Sequence, residues 1–430
     1  MRITSIPTPF PLPVRPEKLP RMAKVRVTYP RPRVTDIARE VRAQLDALGL
    51  PNLRGKRIAV TAGSRGIRDI VAGLAAAVAW LRERGAEPVV VAAMGSHGGA
   101  TSEGQRSLLA HLGITEASVG APIHSEMEVV ELARTTDGLT VYCDRVSAAC
   151  DAVLVVNRIK PHTGFAEPFG SGLMKMLAVG LGKAPGAAQI HRQGPAQMAA
   201  AIEAVASAVI ATGKVLGGLA IVENAYDETA TIAAVPSGDI ARRERELFAE
   251  AKRLMPRLPV DNLDLLIVDM IGKNISGSGM DVNVIGRWRL PSMPEPLSPR
   301  ITRIVALRLS SESEGNAQGV GLSDVVTRRL VDEIDPVATY VNSIVSTFVE
   351  RAFIPLTMPS DRDAILAALA SLSLAEPAAA RVARIRNTRD LEELWLSESL
   401  LKDVAGRPGL TIEPAADLSF TAQGDLADLA

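Results

Sequence analysis

Residues 55–93 constrain the fold more than any other stretch. The run 57–62 is apolar enough for a buried strand, Gly63-Ser64-Arg65-Gly66 makes a tight turn, 67–85 carries an alanine-rich helical face, and 87–93 is a second apolar strand. A strand, turn, helix, strand order of this length is a βαβ unit, which requires a parallel sheet and a right-handed crossover. The chain is therefore expected to be an α/β protein, with ligands bound outside the carboxyl ends of its strands.

Two turns of that unit place polar groups at such ends. Ser64 is placed to cap the helix, and Arg65 projects from a helix N-terminus, where the N–H groups and the dipole favour a carboxylate or phosphate. An ordinary cap beside a surface arginine is the plainer explanation. The second strand runs into Met94-Gly95-Ser96-His97-Gly98, and Ser102 with Gln105 forms a capping-box pattern for the next helix. His97 lies between glycines at a strand end, free to face a crevice.

A third stretch is richer still. The apolar run 151–157 reads as a buried strand, and Pro161 and several glycines then break regular structure. His162, Lys175 and His191 fall in the following loop region and are the leading candidates for chemistry. His111, at a helix end, and His124, before a short strand, have no partner in sequence and read as structural or merely exposed.

At roughly 100–200 residues per domain, 430 residues with 47% hydrophobic content suggest two or three domains, and two are expected. A larger N-terminal α/β domain with a mainly parallel sheet is expected over 1–240, a charged helical linker over 241–259, and a smaller C-terminal α/β domain over 260–430, with the active site in the cleft between them. Within this plan Pro195 starts a helix to about 212, 264–269 is the first strand of the second domain, 323–335 and 391–404 are helices, and the glycine loop 272–281 places Lys273 at another strand end. The 48 basic residues balance 48 acidic ones, so total charge gives no reason to expect a nucleic-acid partner. The uneven ends, basic over 1–33 and acidic at the C-terminus, read as a solvated arm and tail. Two cysteines do not make a disulfide scaffold, prolines interrupt any secretory signal near the N-terminus, and no apolar run suffices for a membrane span. A cytoplasmic protein with no membrane partner is expected.

Several chemistries lack their motifs. Gly182-Lys183-Ala184 has neither the first glycine nor the hydroxyl of a P-loop, the glycines of 180–186 are wrongly spaced and placed for a dinucleotide fingerprint, and neither G-x-S-x-G nor H-E-x-x-H occurs. A lysine in a glycine-lined, partly desolvated loop suits covalent work, because burial lowers its pKa. Pyridoxal phosphate is one reading of such a lysine, but no characteristic partner for the pyridine nitrogen is present. His191 suggests a metal ligand near a lysine-tethered group.

At Gly95-Ser96-His97, Lys160-Pro161-His162, and Ser171-Gly172 followed by Lys175 and His191, the sequence resembles the nickel-pincer-nucleotide racemases and epimerases, whose founding member is lactate racemase. The resemblance implies that Lys175 holds the cofactor, nickel pyridinium-3,5-bisthiocarboxylic acid mononucleotide, through a thioamide, with Ser171, Gly172 and Ser64 around it and His191 on the nickel. It implies His97 and His162 as the acid/base pair, Arg65 in a turn resembling the family's Thr-Arg-Pro turn as an anion-binding residue, and cofactor-biosynthesis proteins as partners. Lys273 is a further candidate for the substrate carboxylate. The implied activity is racemisation or epimerisation at C2 of a 2-hydroxy acid or sugar acid; alternatives are another redox or elimination reaction with the same cofactor, or a noncatalytic nickel- or nucleotide-binding protein. Three departures imply a divergent branch: the interval around Phe165, Glu167 and Phe169 is longer than in the lactate racemase pattern, Ala62-Gly63 stands where the family has an aspartate, and the loop from Asn274 to Asp281 is unlike the lactate enzyme's C-terminal domain.

Overall fold

A computed structural model describes residues 6–12, 16, 18–165, 168–291 and 293–427. The chain forms two compact units, Pro30–Met255 and a second built from Met1–Tyr29 with Pro256–Ala430.

The first unit is organised on a six-stranded sheet. Its order is Ile123–His124, Glu87–Ala92, Arg57–Ala62, Ala152–Arg158, Val215–Glu223 and Thr229–Pro236. All neighbours pair in parallel except the last two, which are antiparallel. Both faces are covered: Val153 and Val155 point into one apolar cluster, Leu154 and Val156 into the other. This is the two-residue period of a strand buried on both sides, and it explains why these strands read as unbroken apolar runs. A separate antiparallel pair, Val129–Arg134 with Thr140–Asp144, packs alongside.

The helix Ile240–Leu254, expected as a linker, is part of this unit's core. Its Ile240, Leu247, Phe248 and Ala251 are buried in the same cluster as Val155 and Leu173. The dense charge occupies the outer face of an amphipathic helix. The preceding helix begins at Met198, with Pro195 outside it in a turn closed by Gln197 N donating to Gly194 O.

The second unit carries an eight-stranded sheet, ordered Leu356–Met358, Val325–Thr327, Arg300–Leu309, Asn262–Ile271, Val382–Ile385, Glu393–Ser397, Met22–Val27 and Leu410–Ile412. The first five strands are parallel and the rest antiparallel. Three expectations change here. Met22–Val27 pairs with Glu393–Ser397 and Leu410–Ile412, so the chain's beginning belongs to the C-terminal unit and not to a 1–240 domain. Of the expected helix 391–404, the first half is a strand: Leu394 and Leu396 enter one core cluster and Trp395 the opposite one, and helix begins only at Glu398–Val404. Likewise 323–335 holds the strand Val325–Thr327 before a short helix, Arg328–Asp332. Among the described residues no helix is long and apolar enough to cross a membrane.

Candidate active site

Three neighbouring parallel strands of the first unit deliver the candidate residues at their carboxyl ends. Arg57–Ala62 is central and is followed by Ser64 and Arg65; Glu87–Ala92 on one side leads to His97, and Ala152–Arg158 on the other leads to His162. The two histidine loops therefore flank the Ser64–Arg65 turn. Ser64 does not cap the following helix, whose N-cap is Asp69; its hydroxyl is hydrogen-bonded to Nδ1 of His97.

The His97 loop is held by backbone contact. Gly95 and Gly98 have φ of +59° and +65°, where a side chain would be strained, and a Cβ on Gly98 would lie 2.6 Å from the carbonyl carbon of Gly104. Thr101, not Ser102, caps the helix Ser102–His111, accepting from Gly104 N. Gln105, expected in a capping box, instead donates to Gly95 O at 2.8 Å and His97 O at 3.2 Å.

The His162 loop is closed at its base by a two-way backbone bridge between Lys160 and Ser171. The His162 ring stacks on buried Phe165 with centroids 4.2 Å apart. Its Nδ1 accepts from Gly164 N at 2.9 Å, so in the neutral ring the proton sits on Nε2. The 2.7 Å contact between Nε2 and Lys175 Nζ is then an N–H donated to the lone pair of a neutral amine. Electrostatics agree, since burial, with Arg65 contributing, lowers the Lys175 pKa to about 7. Glu167 lies outside the described residues.

Lys175 ends the short helix Leu173–Lys175, which passes into a π-helical turn, Met176–Gly180, and then into Lys183–His191. Gly172 precedes it with extended backbone, its carbonyl accepting from Asn157 Nδ2 at 2.9 Å. The carboxylate of buried Glu244 packs against Gly172 and accepts from Met174 N at 2.8 Å, and burial raises its pKa to about 7. In the sequence Glu244 is one of many charged residues on its helix, and only its place on the buried face of that helix singles it out.

His191 closes the helix. Its Nδ1 is buried with no hydrogen-bond partner, and burial, with Lys175 contributing, lowers the ring's pKa to about 4, leaving a neutral imidazole. Arg65 keeps part of its surface in solvent, yet crowding of its guanidinium, first by burial and then by Arg158, lowers its pKa. Arg158 pairs with Glu223, and no described carboxylate pairs with Arg65, so the turn retains an attraction for an anion. Among the described residues no group of three or more His, Cys, Asp or Glu side chains is arranged to hold a metal by itself. Lys273 belongs to the other unit, where its Nζ donates to Gly277 O and Asn342 Oδ1 at 2.6 and 2.7 Å. His111 ends a helix, and His124 pairs with Glu126 at 3.2 Å.

No protein-family model matches the chain, and no curated protein matches its sequence. Among solved structures, the lactate racemase apoprotein from Thermoanaerobacterium thermosaccharolyticum is similar, with a TM-score of 0.51 at 11% identity over 89% of this chain and 96% of that one. A protein from Thermotoga maritima matches with a TM-score of 0.45 at 15% identity, over 76% and 84% of the two chains. At 11% identity the likeness to the racemase is one of fold: the chain has a lactate racemase-like α/β fold.

Proposed function

We propose that the chain is a racemase or epimerase inverting C2 of a 2-hydroxy acid or sugar acid, with a nickel-pincer nucleotide carried on Lys175. One observation carries the reading: a desolvated lysine amine, its pKa lowered to about 7, is hydrogen-bonded to one histidine and lies in the electrostatic reach of a second, neutral histidine whose Nδ1 has no partner. These residues fit the group. An uncharged amine is what thioamide formation requires, and a buried lone pair without a donor suits a metal that takes nitrogen ligands. Lys175 would hold the group covalently, His191 would ligate nickel, and the backbone of Ser171 and Gly172 would shape the approach. When bound, the group supplies a hydride acceptor and donor for C2.

The protein's own part is binding and proton transfer. Arg65 takes the substrate carboxylate, and His97 and His162, arriving from opposite sides of the Arg65 turn, serve the two faces of the carbon beside it. One imidazole removes the hydroxyl proton, and the other delivers a proton when the opposite configuration is formed. Ser64 orients the His97 ring through Nδ1. The test is mass spectrometry and metal analysis of protein co-expressed with cofactor-making enzymes. A mass increment on Lys175 with bound nickel is expected; an unmodified Lys175 without nickel overturns the reading.

A further inference from the structure

Lys183 is wholly buried, at the N-terminus of the helix that ends in His191. Its φ is +49°, in the left-handed region that a non-glycine residue avoids without compensation. The compensation is visible around its ammonium. Nζ donates to Ala92 O at 2.5 Å and to Gln105 Oε1 at 3.2 Å, and lies 3.4 Å from Asp144 Oδ2. All three partners are acceptors, and they come from the end of the strand Glu87–Ala92, the helix Ser102–His111 and the strand Thr140–Asp144.

The contact with Gln105 has a directional consequence. A glutamine amide can be turned either way, and a donor on Oε1 settles which end faces the other direction. With Oε1 on Lys183, Nε2 faces Gly95 O and His97 O and donates to both. Reversal would set an oxygen against two carbonyl oxygens and an N–H against an ammonium. The same loop also touches the lysine-bearing segment, where Gly95 N donates to Gly180 O at 3.2 Å. Lys183 is thus bonded into the arrangement that presents His97, while its own helix presents His191.

We propose that Lys183 is a positioning residue for His97, acting through the fixed amide of Gln105. The assignment of a catalytic task to His97 rests on the function proposed above; the positional claim does not, and it is tested on cofactor-free full-length protein. With only five histidines in the chain, the ring Cε1–Hε1 cross-peaks are assignable by NMR from single His→Gln variants. Lys183→Met and Gln105→Leu are each expected to move the His97 cross-peak by more than its linewidth while leaving that of His111 in place. Gln105→Glu, which keeps shape and an acceptor for Lys183 but sets a carboxylate oxygen against the two carbonyls, is expected to move it as well and guards against a variant that fails to fold. A folded variant set in which the His97 cross-peak coincides with that of the wild type overturns the proposal. In loaded enzyme, Lys183→Met should lower kcat by about 10²-fold with KM nearly unchanged, the scale expected for a misplaced reacting group. If the loaded wild-type enzyme shows no turnover, the proposed function fails while the NMR result still decides the role of Lys183.

Discussion

Nε2 of His162 lies 2.7 Å from Nζ of Lys175, so the residue proposed to tether the cofactor and a residue proposed to move protons share one hydrogen bond. The bond uses the amine's lone pair. Acylation of that nitrogen would delocalise the lone pair and end this hydrogen bond, so loading of Lys175 and the His162 contact are linked.

The Lys175 amine should react as a nucleophile at neutral pH. Its pKa near 7 leaves about half of it uncharged there, whereas an ordinary lysine at about 10.4 is almost wholly protonated. Trace labelling with acetic anhydride, followed by peptide mass spectrometry, should give a half-maximal rate for Lys175 near pH 7. A rate that rises only near the ordinary value would contradict the desolvated amine.

Glu244 makes stability depend on pH in a defined direction. Its carboxyl is raised from 4.5 to about 7, so between those values the folded state holds a proton that the unfolded state has released, and stability falls as pH rises through the window. Glu244→Gln removes that loss. Its Tm relative to wild type should increase from pH 4.5 to 7 and then level off, and a difference independent of pH would refute the assignment.

Gly172 is required by the approach of Glu244. A Cβ at this position would lie 2.1 Å from Glu244 Oε1, and overpacking of a buried site costs about 1–3 kcal/mol. Gly172→Ala should lower stability by that order in denaturant melts. Adding Glu244→Ala should recover part of the loss, a non-additivity expected only of residues in contact.

Removing the His191 imidazole should separate metal retention from tethering. In co-expressed protein, His191→Ala is expected to keep the mass increment on Lys175 and to lose most of its nickel by elemental analysis. Full nickel occupancy in this variant would move the ligand elsewhere.

His97→Ala and His162→Ala should each lower racemisation by about 10²–10⁴-fold, the usual contribution of a positioned acid or base. Chiral chromatography over a panel of 2-hydroxy acids and aldonic acids, using protein with Lys175 loaded, measures this. Turnover unaffected by either substitution would remove that residue from the proton-transfer pair.

Much of this architecture is local, and so it could be read from the chain. The strand runs 57–62, 87–93 and 151–157 are apolar without alternation because both faces of a parallel sheet are covered, and the glycine-flanked His97 and the proline-broken loop of His162 mark strand ends by their backbone requirements alone. Lys175 and His191 were conspicuous as polar groups among glycines. What stayed hidden depends on partners far away in sequence. The pattern at 391–404 suits a helix until Glu393–Ser397 is placed between two strands, one of them from the start of the chain. Ser64 and Gln105 fit capping patterns, yet their side chains serve His97 and the carbonyls of its loop.

By itself the sequence determined the α/β class and the strand ends, and it marked His97, His162, Lys175 and His191 as candidates, because periodicity, glycine and proline act within a few residues. Only the tertiary structure decided the state of those groups. A lysine pKa near 7, a neutral His191 with an unpartnered Nδ1, and the burial of Glu244 and Lys183 all arise from desolvation and from neighbours brought together by the sheet order. Charge and hydrogen bonding act over a few ångströms of space, and adjacency along the chain does not record which groups come that close.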